Sequence, residues 1–282
     1  MDFVDQALAR RLESAEEMPQ VHYANLYQKL KPEIGAAVES ICGGHMIFAG
    51  LNSPIGRTVG MGFDGTATAA DLDRMEQFYR SHAALSQIDV CPLTDPSLLE
   101  MLKQRSYAMA ELNNVLFRRL NDNDQNDNDR KEAAASPAGV TIRQGHAEEA
   151  QAFSDIVVRS FFPNGDEPAG FAEMIAPIYQ AEGAILFVAE VEGKPVACAA
   201  GLIVPERRIL ALFGAGTLPD FRRRGLQTAL LLRRMETAQK AGCEYAVIVT
   251  QGGTTSMRNA ERLGFRVAYS KATLIKNLEV TA

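Results

Sequence analysis

The chain has 282 residues, of which 46% are hydrophobic, so its length suggests two domains with enough apolar material for packed cores. Its formal net charge of −6 argues against a general nucleic-acid binder, because such proteins are usually basic. No apolar run is long enough to span a membrane, and the acidic start of the chain is unlike a secretion signal, so we expect a cytoplasmic protein with neither nucleic acid nor membrane as a partner.

The first half of the chain, residues 1–120, contains a series of predicted elements. Its pattern predicts helices over 3–16 and 22–30 and a hairpin over 37–51 around Gly43-Gly44. The stretch 87–110 then has the pattern of a strand, a helix and a second strand. These elements indicate a mixed α/β domain.

A polar and acidic stretch of low complexity occupies residues 121–138 and begins Asn-Asp-Asn-Asp-Gln-Asn-Asp-Asn-Asp. Such a composition cannot bury apolar surface, so we predict a loose linker. The linker separates residues 1–120 from a second domain over 139–282.

The second half has a longer series of predicted elements. It begins with a strand at 140–143, helices near 146–160 and 169–180, and a hairpin over 184–204 that turns at Glu192–Pro195. It continues with a strand at 208–216, a helix with an apolar stripe that ends at Ala238, a strand at 244–250, a helix at 254–263 and a strand at 265–275. Gly264 stops the helix before the last strand.

The most informative segment lies between the strand at 208–216 and the helix that follows it. It contains three consecutive arginines and then Gly225. The first turn of a helix has unpaired N–H groups and a partial positive charge, and a glycine lets an anion approach the backbone. The segment therefore predicts a phosphate-binding turn.

This segment resembles motif A of the GNAT acyltransferases, Arg/Gln-x-x-Gly-x-Gly/Ala, and reads Arg222-Arg-Arg-Gly-Leu-Gln227 here. Gln227 stands where the family usually has a small residue, so its side chain must turn away from the ligand. The strand and helix order around the motif, and the sequence Leu263-Gly264-Phe265, also resemble the family. The resemblance covers residues 139 to about 278 and implies one GNAT domain.

The first half aligns with part of the second. Residues 87–110 align without a gap on 245–268, and the order of strand, helix, stop and strand is the same. We therefore predict an α/β fold with mixed sheets, formed by two tandem acyl-CoA N-acyltransferase (GNAT-like) domains. The alternative is an unrelated α/β domain that matches by chance. Asp64 falls on Arg224 and would repel a phosphate, so we expect that the first half has lost the cofactor.

The resemblance implies acetyl-CoA as co-substrate, bound where two parallel strands splay apart, and no metal. Backbone groups near Gly216, Thr217 and Leu218 would pair with the pantetheine arm. The N–H groups from Arg223 to Thr228 would hold the pyrophosphate, and the arginine side chains could meet the 3′-phosphate. The cofactor-binding prediction comprises Gly216, Thr217, Leu218, Arg222, Arg223, Arg224, Gly225, Leu226, Gln227, Thr228 and Asn259.

The catalytic groups are less clear from the sequence. The resemblance would place a tyrosine acid at Ala260 and an asparagine at Gly253, and both are missing. The strand at 208–216 carries no Asp or Glu that could act as a base. Tyr269 and Ser256 are the substitute acids, although Tyr269 could equally be a packing residue. Neither the histidines nor the four cysteines have metal-binding spacing, and the cysteines are expected to be buried free thiols.

The leading hypothesis is an N-acetyltransferase that transfers an acetyl group from acetyl-CoA to a primary amine of a small molecule or amino-acid-like acceptor. A negatively charged protein suits a cationic acceptor slightly better than an acidic one. The alternatives are a CoA-binding regulator without activity, motivated by the missing tyrosine and base, and a protein N-acetyltransferase. A homodimer is possible.

Overall fold

The computed structural model describes residues 2–51, 53–120 and 137–276. The predicted linker therefore lies outside the described residues, apart from its last two positions. The chain divides into two compact units. The first unit comprises Met1–Leu116, Val249–Met257 and Arg266–Ala282, and the second comprises Phe117–Ile248 and Arg258–Phe265.

The described residues form an alternating series of helices and strands. The helices are α1 (Gln6–Leu30), α2 (Ala69–Ser81), α3 (Pro96–Gln104), α4 (Ala150–Phe161), α5 (Phe171–Ile175), α6 (Leu226–Lys240) and α7 (Thr255–Arg262). The strands are β1 (Ala37–Ile41), β2 (Gly44–Phe48), β3 (Gln87–Val90), β4 (Tyr107–Arg119), β5 (Val140–Gln144), β6 (Ala184–Val191), β7 (Lys194–Val204), β8 (Ile209–Thr217), β9 (Tyr245–Gln251) and β10 (Arg266–Lys276). The predicted mixed α/β class is confirmed.

One prediction for the first half was wrong. Residues 3–16 and 22–30 do not form two helices, because α1 runs unbroken through Pro19. A proline inside a helix removes a hydrogen bond and costs about 3 kcal/mol. Buried side chains on both sides of it, Leu12 and Val21, each contribute about 1.5–3 kcal/mol and offset that cost.

The first unit has a small sheet, β1 with β2, and a set of strands in the order β3-β10-β4. Strand β10 comes last along the chain, yet it pairs antiparallel with β3, Ala272 opposite Val90. Its Leu274 belongs to the apolar core of this unit, together with Met46 and Leu72. Residues from the end of the chain therefore complete the first unit.

The second unit contains strands in the order β9-β8-β7-β6-β5. Strands β8 and β9 are parallel and the other pairs are antiparallel, so this part of the sheet is mixed. Alternate residues of β6 face opposite sides. Leu186 and Val188 lie in one core cluster with α4, whereas Phe187 and Ala189 lie in another with α6. Helices thus cover both faces of this sheet.

The predicted repeat is present in both halves of the chain. Strand β3, helix α3 and strand β4 follow one another in the first half, as β9, α7 and β10 do in the second. A helix precedes each set, α2 in the first half and α6 in the second. The two halves differ in how these helices begin, and that difference bears on cofactor binding.

Candidate functional site

The candidate site is the turn that joins β8 to α6 in the second unit. A short 3₁₀ helix, Pro219–Phe221, leads from β8 into the three arginines. Arg223 has φ +61° and Gly225 has φ +76°, both in the left-handed region. Gly225 is the N-cap of α6 and provides no side chain to close the helix start. This conformation favours glycine because the left-handed region is strained for other residues.

The backbone N–H groups of residues 223–228 make no hydrogen bond to protein atoms within the described part of the chain. The bonding of α6 begins only with Ala229, whose N–H donates to the carbonyl of Gly225 at 3.1 Å. A run of free N–H groups at a helix start, together with the positive end of the helix dipole, attracts an anion. The turn therefore has the geometry of a phosphate site.

The side chain of Gln227 holds this turn against the end of β8. Its Nε2 donates to the carbonyl of Gly216 at 2.9 Å and to Oγ1 of Thr217 at 2.9 Å. The amide is thus bonded to the strand, while the N–H of Gln227 remains among the free donors. Leu226 is buried beside Phe187 and anchors the first turn of α6 from the other side.

The three arginines have different surroundings. Arg222 donates from Nε to the carbonyl of Thr217 at 3.4 Å and from Nη2 to the carbonyl of Ser160 at 2.5 Å, so it joins the turn to the end of α4. The Arg224 guanidinium stacks on Phe221, 5.0 Å from the ring centroid. Arg223 is exposed. Arg222 therefore has a structural role, whereas Arg223 and Arg224 are better placed to meet a phosphate. No sequence pattern predicts the contact of Arg222 with Ser160.

Among the described residues, no strand pairs with the last part of β8 on the side of β9, so β8 has a free edge next to this turn. Its parallel pairing with β9 runs from Ile209 opposite Tyr245 to Leu212 opposite Ile248, and β8 then continues for five residues. On its other edge β8 remains paired with β7, through a bulge that lies between Phe213 and Gly216. An unpaired strand edge offers backbone N–H and carbonyl groups to an extended ligand.

The predicted catalytic residues, Tyr269 and Ser256, belong to the first unit by contact clustering, and their role stays a prediction. Tyr269 is in the first unit, where its hydroxyl donates to Oε1 of the buried Glu13 at 2.8 Å. Burial and the neighbouring Glu13 raise the pKa of Tyr269 well above its usual value. Its hydroxyl is therefore already engaged and is a poor acid. Ser256 is exposed on α7, in the part of that helix that belongs to the first unit.

Three further positions bear on the chemistry. Ala260, where the sequence resemblance would place a tyrosine, is fully buried in the second unit. Asn259 beside it is half-buried in the same unit. Cys198 lies near Gly216, but burial raises the pKa of its thiol to about 12, so it is a poor nucleophile. Strand β8 carries no carboxylate, and the turn carries one, the exposed Asp220.

Three of the four cysteines are buried and Cys42 is half-buried, and all four are free thiols. The described residues contain no group of three or more His, Cys, Asp or Glu side chains that could hold a metal ion. Among these same residues, no helix has both the length and the apolar character that crossing a membrane requires.

The turn lies within a segment that matches a known protein family. Residues 150–265 match the acetyltransferase (GNAT) family. The comparison with curated proteins found no match. Among solved structures, the chain is similar to a GCN5-related N-acetyltransferase from Kribbella flavida, with a TM-score of 0.64, 18% identity, and coverage of 92% of this chain and 96% of that one.

Two other solved structures share the fold. One is a GCN5-related N-acetyltransferase from Sphaerobacter thermophilus, with a TM-score of 0.53, 18% identity, and coverage of 73% and 66% of the two chains. The other is a tandem GNAT protein from the clavulanic acid biosynthesis pathway, with a TM-score of 0.57, 13% identity, and coverage of 84% and 79%. At these identities the likeness to solved structures concerns the fold alone. The family match identifies residues 150–265 as a GNAT-type acetyltransferase domain.

Proposed function

We propose that this protein transfers an acetyl group from acetyl-CoA to a primary amine of a small molecule or amino-acid-like acceptor. The observation that carries the proposal is the run of free N–H groups at residues 223–228, directly after the free edge of β8. A pyrophosphate fits the N–H groups, and the amides of a pantetheine arm fit a strand edge. Arg223 and Arg224 are the side chains proposed for the 3′-phosphate.

The reaction that suits this site is direct attack of a neutral amine on the thioester carbonyl. Holding the two reactants in line supplies much of the rate without a covalent enzyme intermediate. The amine adds to the carbonyl, the C–S bond breaks, and the amine proton leaves to solvent while the thiolate of CoA departs. Donors near the thioester oxygen would stabilise the negative charge that develops there.

Only the second half is proposed to bind the cofactor. Helix α2 begins with a capping box, in which Oγ1 of Thr68 accepts from the N–H of Asp71 and the Asp71 carboxylate accepts from the N–H of Thr68. The Thr68 hydroxyl also donates to the Asp71 carboxylate at 2.6 Å, and this bond, followed by the one from the Thr68 N–H, lowers the pKa of Asp71, so a negative charge stays at the helix start. An anion is repelled there, whereas α6 leaves its donors open.

A second candidate function is a CoA-binding regulator without catalysis. The buried Ala260 and the absence of a carboxylate on β8 favour it. Direct attack requires no particular side chain, so neither observation excludes an enzyme. A protein N-acetyltransferase is the remaining alternative, and it differs from the leading proposal only in the acceptor.

The proposal is tested by calorimetric titration with acetyl-CoA and with 3′-dephospho-CoA, followed by an amine and peptide library assayed by thiol release. We expect tight binding of acetyl-CoA, weaker binding of the dephospho form, and turnover with small, preferably cationic, amines. Binding without turnover of any amine or peptide would support the regulator. Turnover with peptides alone would support a protein acetyltransferase, and no binding would overturn the proposal.

A further inference from the structure

Tyr179 is a buried tyrosine whose hydroxyl group has no hydrogen-bond partner among the described residues. It lies in the 3₁₀ segment Ala176–Gln180 of the second unit, and only 2% of its surface is exposed. Its ring packs against Phe153 of α4, with 5.8 Å between centroids. None of its contacts with the described residues is a hydrogen bond to the hydroxyl group. The hydroxyl oxygen is not among the fully buried unpaired atoms of the described residues, so this donor is open to a small ligand group.

The hydroxyl lies against the backbone of β8 at Gly214. A Cβ atom at Gly214 would be 2.8 Å from Cε1 of Tyr179 and 2.9 Å from its hydroxyl oxygen. No side chain fits there, and Gly214 also has φ +53°. The glycine thus allows the phenol to lie directly beside the strand.

Gly214 belongs to the bulge of β8. Phe213 is opposite Ala200 and Gly216 is opposite Cys198, so two residues of β8 face one residue of β7. A bulge locally redirects the backbone and is often found beside a functional site. This bulge begins one residue after Leu212, the last position at which β8 pairs with β9.

The position also suits the reactive end of the proposed cofactor. Thr217 lies next to the phosphate turn. Gly214 is three residues before it on β8, a distance of roughly 10 Å along an extended strand. A pantetheine arm that begins at the turn and follows the free edge of β8 would carry its thioester to the bulge. This step rests on the proposed function.

We infer that the Tyr179 hydroxyl donates a hydrogen bond to the thioester carbonyl oxygen of bound acetyl-CoA. As the amine attacks, negative charge develops on that oxygen, and a donor already in place stabilises it more than it stabilises the ground state. Tyr179 is then a catalytic residue, and the contact satisfies its hydroxyl.

The burial of Tyr179 suits a hydrogen-bond donor better than a group that gives up its proton. It raises the pKa of Tyr179 well above that of free tyrosine, so the phenol keeps its proton throughout the working pH range. A group that holds its proton this firmly is a poor acid for a departing thiolate, but it remains a hydrogen-bond donor. The hydroxyl should therefore affect the rate without adding a limb to the pH profile.

The test is Tyr179→Phe, which removes the hydroxyl and preserves the ring. Release of CoA thiol from acetyl-CoA, with water as acceptor, can be followed without knowing the natural amine. We expect the rate constant at saturating acetyl-CoA to fall by about 100-fold, with calorimetric affinity within about threefold and an unchanged pH profile. Thermal stability should change little, because the hydroxyl makes no hydrogen bond within the described residues.

The matched control is Tyr107→Phe in the first unit, where the lost hydroxyl donates to Oγ of Ser86 at 2.7 Å. It should lower stability and leave the rate of thiol release unchanged. A second readout is the infrared stretch of acetyl-CoA labelled with ¹³C at the thioester carbonyl. This stretch should lie at lower frequency on the wild type than on Tyr179→Phe.

The outcomes separate the two proposals. Equal rates and equal carbonyl frequencies in wild type and Tyr179→Phe, with acetyl-CoA bound to both, would overturn the inference alone. Loss of a pH limb in Tyr179→Phe would also overturn it, because that result would make Tyr179 a proton donor. Failure of the wild type to bind acetyl-CoA would overturn the proposed function, and this inference with it.

Discussion

Gly225 is the residue on which the phosphate turn depends most directly. Its φ is +76°, and among the described residues a Cβ added to it would meet only Pro137, at 3.9 Å. A larger side chain would therefore not collide with the protein core but would project into the space before the free N–H groups. We expect Gly225→Val to weaken acetyl-CoA binding at least tenfold in calorimetry, with a loss of about 1–2 kcal/mol in stability from the left-handed backbone.

The control for this substitution is Gly242→Val. Gly242 has φ +84° and open space around its Cβ position, but it follows the other end of α6. It should show the same loss of stability and retain acetyl-CoA affinity. Wild-type affinity in Gly225→Val would mean that the phosphate site has been assigned to the wrong turn.

At the scale of elements, the two comparable helices begin differently, and this predicts the stoichiometry of binding. Helix α2 begins with a capping box formed by Thr68 and Asp71, whereas α6 begins at Gly225 with no side-chain cap. We expect one acetyl-CoA per chain in calorimetry, and no binding in the same concentration range after Gly225→Val. Two equivalent sites in the wild type would contradict the prediction.

A three-residue clamp fixes the first strand of the second unit. Arg143 on β5 contacts Glu149 before α4 at 2.7 Å and Glu190 on β6 at 2.9 Å. The hydrogen bonds from Arg143 are the largest influence on Glu149 and lower its pKa to about 2. Between pH 4.5 and 2 the unfolded chain therefore binds more protons at this residue than the folded chain does.

The stabilisation from this clamp is thus present above about pH 4.5 and is lost as the pH falls towards 2. Solvent screening limits it to about 1 kcal/mol, since both side chains are partly exposed. We expect Glu149→Gln to lower stability by about that amount at pH 7 and to make little difference at pH 2.5, in urea unfolding. An equal effect at both pH values would show that ionisation of Glu149 is not involved.

The elements could be predicted from sequence because their signals are local. Strand β8 was predicted at 208–216 and lies at Ile209–Thr217, and the phosphate turn follows from a glycine beside a helix start. The hydrogen bond of Tyr269 to Glu13 and the contact of Tyr179 with Gly214 join residues far apart in sequence. No periodicity or motif reports such contacts, so the surroundings of these two tyrosines could not be predicted from the sequence.

At the scale of the whole molecule, the order of the chain and the compact units do not coincide. Strand β10 follows the GNAT match along the chain but belongs to the first unit. Its Lys271 is fully buried there, 3.3 Å from Glu13 and 3.3 Å from Asp89, and it also contacts Glu16. These carboxylates raise the pKa of Lys271 despite its burial, so the amine stays charged.

Removing this lysine should be costly. Lys271→Met leaves the buried Glu13 without its cation, whereas Asp89 keeps its contact with Arg57 at 3.5 Å, and breaking a buried pair typically costs about 3–5 kcal/mol. The exposed pair of Lys240 and Glu236, at 2.7 Å, is the control, and Lys240→Met should cost no more than about 1 kcal/mol. Urea unfolding measures both. Equal small losses would mean that the buried network contributes little to stability.

The same arrangement predicts how the second half behaves when it is produced alone. A fragment of residues 139–282 contains β10 but lacks β3, its antiparallel partner, and the three carboxylates around Lys271. Its β10 would expose an unpaired edge and an uncompensated buried charge, which favours aggregation. We expect the fragment to be less soluble than the full chain, to melt at lower temperature and to release thiol slowly, while its intact phosphate turn still binds acetyl-CoA. Light scattering, thermal melts and calorimetry on the two proteins test this. A soluble fragment with the full chain's melting temperature and activity would show that the second half needs nothing from the first.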